Sequence, residues 1–141
     1  MSDTMTDDTL AAWLRDFVAA HAGVAGTVHL HHEEGFLDLA AAHNIPPPVQ
    51  QATARIPRGK GMAGLALERD QPVSTCNLQT DTTGDVRPGA RAVGAQAAVA
   101  LPVHDEGGRV RAVVGIAFLG ERDIGEEDLA TLGRTASTLP G

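Results

Sequence analysis

The chain has 141 residues, 43% of them apolar and 21% charged, with eleven Lys and Arg against eighteen Asp and Glu for a formal charge of −7. That length suits one compact domain with a core of its own. Scattered basic residues under a net negative charge exclude an electrostatic grip on nucleic acid, the rings of Trp13, Phe17, Phe36 and Phe118 are too few for a base-stacking platform, and no stretch approaches the roughly 18 apolar residues of a membrane span.

Residues 1–8 are acidic and lack the basic-then-apolar order of a secretory signal. They are expected as a flexible tail, with a single domain over 9–141. Residues 9–22 place Leu10, Trp13, Leu14, Phe17, Val18 and His21 at helical spacing, with Asp7, Asp8 or Thr9 to cap the start and Gly23 to end it. Residues 27–32 and 36–43 are extended in character and read as a hairpin around Glu33, Glu34 and Gly35. The triple proline 46–48 stops the sheet, and 48–54 suit a short helix that tolerates proline in its first turn.

Residues 56–61 form a glycine-punctuated loop that feeds a short helix over 62–69. Residues 72–76 look like a brief edge strand. The stretch 77–94 is polar and bears Gly and Pro, which predicts a long irregular segment with one helical turn near 88–93; such segments inside a compact domain are usually functional. Residues 96–104 and 109–119 are the strongest strands, joined by Asp105, Glu106, Gly107 and Gly108. The last helix, about 126–139, opens on Glu126, Glu127 and Asp128, where negative charge suits the helix dipole, and carries Leu129, Leu132, Ala136 and Leu139 on one stripe.

This order predicts an α+β fold: an antiparallel sheet with the N- and C-terminal helices on one face. Segment 58–94 must then cover the other face, and a ligand would lie in a cavity beneath it. Cys76 is the one cysteine, which rules out an intramolecular disulfide and a cysteine-held zinc and fits a reducing, cytoplasmic setting.

Candidate ligand-binding residues follow from that arrangement. Gly59, Lys60, Gly61, Met62 and Ala63 would offer backbone N–H groups at a helix N-terminus to an anion, with Lys60 or Arg58 adding charge; the alternative is a tight turn that needs glycine for its backbone. Cys76, Asn77, Gln79, Thr80 and Asp81 open the covering segment, and Arg87 and Arg91, one helical turn apart, would pair with an acid group unless they stay solvated. Gln96 offers a polar handle. Ala98 and Ala100 would leave room if they face the cavity, with Ile116 and Phe118 as its apolar wall; ordinary helix packing onto small residues is the competing account. Alternation puts His29 and His31 on one strand face and His32 on the other, so a metal site would need Glu33 or His43 to complete it. No metal, cofactor or catalytic residue is expected.

The chain resembles the GAF family over nearly its whole length. The resemblance is carried by the order and spacing of five pieces: residues 58–64 (RGKGMAG), 70–73 (DQPV), 99–103 (VALPV), 113–116 (VVGI) and 126–129 (EEDL). It implies a six-stranded antiparallel sheet, terminal helices that often form a homodimer, and a pocket for nucleotides, tetrapyrroles, amino acids or small anions. The Asn-Lys, Phe, Asp-Glu signature of cyclic-nucleotide binders is missing, since 118–128 keep only acidic residues, and Cys76 stands in a different context from a tetrapyrrole-binding cysteine. The implied function is a sensory or regulatory module for a small polar or anionic ligand. Such a module would signal through a homodimer or a separate partner such as a kinase or transcription regulator. The alternative is a thiol-dependent enzyme similar to free methionine-(R)-sulfoxide reductase, using Cys76. Those enzymes carry several cysteines, one directly before the glycine matched by Gly64, where this chain has Ala63. Their acidic substrate-binding positions fall at about Ala98, Phe118 and Gly120.

Overall fold

The computed structural model describes residues 2–32, 35–45, 47–52, 54–75, 97–118 and 125–139. Helix α1 (Ser2–Ala20) leads into strands β1 (Ala25–His32) and β2 (Phe36–His43), a short helix α2 (Pro47–Ala52) and strand β3 (Arg55–Pro57). Helix α3 (Gly61–Arg69), strands β4 (Val73–Thr75), β5 (Ala97–His104) and β6 (Val110–Phe118), and helix α4 (Glu126–Ala136) complete the order. The strands form one sheet in the order β3-β2-β1-β6-β5-β4, with every neighbouring pair antiparallel.

The two strands with near-continuous apolar sequence, β5 and β6, bury both faces, as such runs must. On one face, Leu10, Leu14, Phe17 and Val18 of α1 and Leu132 and Ala136 of α4 pack with Leu139 onto Val28, Val99, Leu101, Val114, Ile116 and Phe118. Each large side chain removed from water there contributes about 1.5–3 kcal/mol. The terminal helices thus share one face, as expected. Close approach of α1 depends on Gly26, where a Cβ would stand 2.8 Å from Val18 Cγ2 and 3.0 Å from Leu14 Cδ1. Trp13 stacks on Phe17 with ring centroids 5.0 Å apart, and its indole N–H donates to the Thr138 hydroxyl at 3.0 Å, which ties α1 to the chain just beyond α4.

Three differences from the sequence reading have local causes. Helix α1 begins at Ser2 and not at residue 9, because no Gly or Pro interrupts residues 2–8. Its stop is set by Ala22, which takes the left-handed conformation at φ 58°, while the Gly23 N–H closes back on the Val18 carbonyl at 2.8 Å. Residues 56 and 57, read as the start of a loop, belong to edge strand β3, whose Ile56 pairs with Leu37; an edge tolerates Pro57 since a missing N–H costs no ladder bond there. The regular part of α4 ends at Ala136, yet turn hydrogen bonds from Thr138 and Leu139 continue the path and keep Leu139 buried. The helical turn expected near 88–93 lies outside the described residues.

Candidate functional site

Alternation along β1 puts Val28 and Leu30 against the terminal helices and turns Thr27, His29 and His31 to the opposite, α3-side face. Cross-strand partners share a face, so the α3 side also receives Leu37 from β2, Val113 from β6 and Ala100 from β5. This face has two zones. Toward one end of the strands α3 seals it: Ala66 and Leu67 are buried against Leu37, Ile56, Val73, Ala100 and Val113, with Met62, Ala63 and Leu65 packed on the cluster. Beneath the helix, therefore, the expected cavity is filled by side chains.

The other zone is paved with small residues. Ala25 pairs with Ala117, Thr27 with both Ala42 and Gly115, and Ala98 with Ala117. Gly115 and Thr27 meet closely, since a Cβ at 115 would lie 2.9 Å from the Thr27 hydroxyl oxygen. Thr75, the last residue of β4, pairs with Ala98 at this end of the sheet, and β5 begins beside it at Ala97.

The glycine loop before α3 is shaped by its own hydrogen bonds. The Arg58 N–H donates to the Gly35 carbonyl at 3.1 Å, the Lys60 N–H to Pro57 at 3.1 Å, and the Gly59 N–H to the Gly64 carbonyl at 2.9 Å. Gly59 and Gly61 sit at φ 82° and 65°, which favours glycine. Gly64 is required for another reason: a Cβ there would fall 2.5 Å from the Pro57 carbonyl oxygen. The Gly64 N–H makes the first helical bond, to Lys60 at 3.1 Å. Helix geometry consequently gives the N–H groups of Gly61, Met62 and Ala63 no acceptor inside the helix. Lys60 occupies the N-cap position without a side-chain cap bond, and both it and Arg58 are exposed.

Of the residues singled out from sequence, Gly59, Lys60, Gly61, Met62 and Ala63 thus form the turn and first helical turn, and Ala98 is buried on the α3-side face. Phe118 and Ile116 are corrected: both pack with the terminal helices, on the face opposite Ala98, because β6 alternates and its even-numbered residues from 112 to 118 point to α1 and α4. Cys76, Asn77, Asp81, Arg87, Arg91 and Gln96 lie outside the described residues. His29 and His31 do share a face. His29 is 2% exposed between Leu39 and Val113, and His31 Nδ1 lies 2.8 Å from the Val110 carbonyl. Among the described residues no group of three metal-ligating side chains converges.

Sequence reasoning missed Ala25, Thr27, Ala42, Gly115 and Ala117. A signal was present in β6, where Val114, Ile116 and Phe118 alternate with Gly115 and Ala117; large and small side chains at period two mark a strand whose two faces meet different neighbours. At the far end of β5, an open groove of about 570 Å³ is lined by His104, Asp105, Glu106, Gly107 and Arg111. His104 is also bonded through Nε2 to the carboxylate of Asp70, the residue that ends α3. Because four of its five lining residues are exposed, that groove is a surface turn, and the small-residue zone is the stronger candidate site.

A six-stranded antiparallel sheet with terminal helices on one face and a glycine turn feeding a short helix on the other defines a domain of the α+β class. The profile of the GAF domain family matches residues 3–139, and the chain belongs to that family, whose members commonly bind small molecules as sensory modules. No curated protein matches it in sequence. Among solved structures it resembles the GAF domain region of a putative membrane protein from Geobacter sulfurreducens PCA, at a TM-score of 0.76 and 15% identity over 99% of this chain and 93% of that one. A type II free methionine-R-sulfoxide reductase from Thermoplasma acidophilum matches at TM-score 0.74 and 16% identity, covering 97% and 91% of the two chains. The domain of a putative two-component sensor histidine kinase protein from Sinorhizobium meliloti 1021 matches at TM-score 0.69 and 16% identity, covering 91% and 83%. At these identities the likenesses show the fold. No helix among the described residues is long and apolar enough to cross a membrane.

Proposed function

We propose that this GAF domain is a sensory module whose small, polar or anionic ligand rests on the α3-side zone floored by Ala25, Thr27, Ala42, Gly115, Ala117 and Ala98. The observation that carries this reading is the pairing of those small residues across four strands on the face away from the terminal helices. Large apolar side chains would occupy the space above such a floor; Gly and Ala leave it to another occupant. Asn77, Asp81, Arg87, Arg91 and Gln96, and the N–H groups of Gly61, Met62 and Ala63, are the candidate polar partners of such a ligand.

Ligand binding would bias a homodimer of the terminal helices or the docking of a separate signalling protein. The fold likeness to a domain of a sensor histidine kinase protein supports a kinase as one such partner. The cytoplasm is the setting in which such a partner and the reduced Cys76 would be found.

A thermal-shift screen against nucleotides, amino acids, nitrate and other oxyanions tests the proposal. A ligand at a hundred times its Kd stabilises the folded state by about 2.7 kcal/mol, which is readily seen as a higher Tm. A flat response to every class would remove the support for a sensor. The alternative, thiol-dependent reduction through Cys76, draws on the fold likeness to the Thermoplasma enzyme. Turnover of free methionine sulfoxide with a thiol donor, lost in Cys76→Ser, would establish it instead.

A further inference from the structure

We draw no further inference here: the strongest candidate, the open groove at the β5–β6 turn beside the His104–Asp70 pair, is an exposed acidic turn in which Asp105 already accepts the Gly107 and Arg109 N–H groups, Arg111 donates to Leu139, and none of the lining side chains is buried, so nothing in it points to a ligand.

Discussion

Thr27 of β1 and Gly115 of β6 are cross-strand partners, and the Thr27 hydroxyl oxygen lies 2.9 Å from where a side chain at position 115 would begin. Gly115→Ala therefore forces Thr27 to move and is expected to cost about 1–3 kcal/mol, the range for overfilling a packed site. Removing the obstructing hydroxyl should recover most of that loss. In a double-mutant cycle with Thr27→Ala, followed by urea denaturation with Trp13 as the probe, the two substitutions should couple by about 1 kcal/mol or more. Additive energies would show that the two side chains do not compete for one space.

The same position separates floor from core in ligand binding. Gly115→Val places a branched side chain on the α3-side floor and should abolish the thermal response to the ligand found by screening. Phe118→Leu, on the opposite face under α1 and α4, should lower stability by about 1–2 kcal/mol and leave the ligand-induced rise in Tm intact. Equal loss of the ligand response in both variants would place the site elsewhere.

Gly64 touches backbone, and backbone yields less readily than a side chain. With the Pro57 carbonyl oxygen only 2.5 Å from where a Cβ at 64 would stand, Gly64→Ala must pry the loop from α3 and break the Gly59-to-Gly64 hydrogen bond. A loss of about 2–4 kcal/mol is expected, combining overpacking with the broken bond. A chemical-denaturation midpoint near that of the parent would contradict this geometry.

Gly133 presents the reverse case. It lies within α4 with no atom inside 4 Å of a prospective Cβ, and its φ is not in the positive range. Gly133→Ala should stabilise the domain by about 0.5–1 kcal/mol, since alanine loses less backbone entropy in a helix. Calorimetry would register this as a Tm rise of a few degrees.

Lys60 tests the electrostatic part of the proposal. It is exposed and makes no side-chain cap bond, so Lys60→Ala should change stability by less than about 0.5 kcal/mol. If the ligand is an anion held at the start of α3, the variant should need a higher ligand concentration for the same shift, and more so at low salt. An unchanged dose response would assign anion recognition to other residues.

Much of the architecture was legible in residue patterns. The 3.6-residue spacing of Leu10, Leu14, Phe17 and Val18, the turn residues around Gly35 and Gly107, and the apolar runs of β5 and β6 each report a local preference that the fold keeps. Strand β3 was hidden because three residues carry too little pattern, and it exists as a strand through its pairing with β2. The glycine loop was recognisable from spacing, but that Gly64 answers to Pro57 and not to its own φ is a matter of contact.

The residues by themselves determined the α+β class and the amphipathic first and last helices, since periodicity and turn chemistry act over a few neighbours. Which face each strand residue meets was decided by the tertiary structure. Strand register is a collective property, and a one-residue change of phase exchanges the faces. That is why Phe118 belongs to the terminal-helix core while Thr27, Gly115 and Ala98 share the other side.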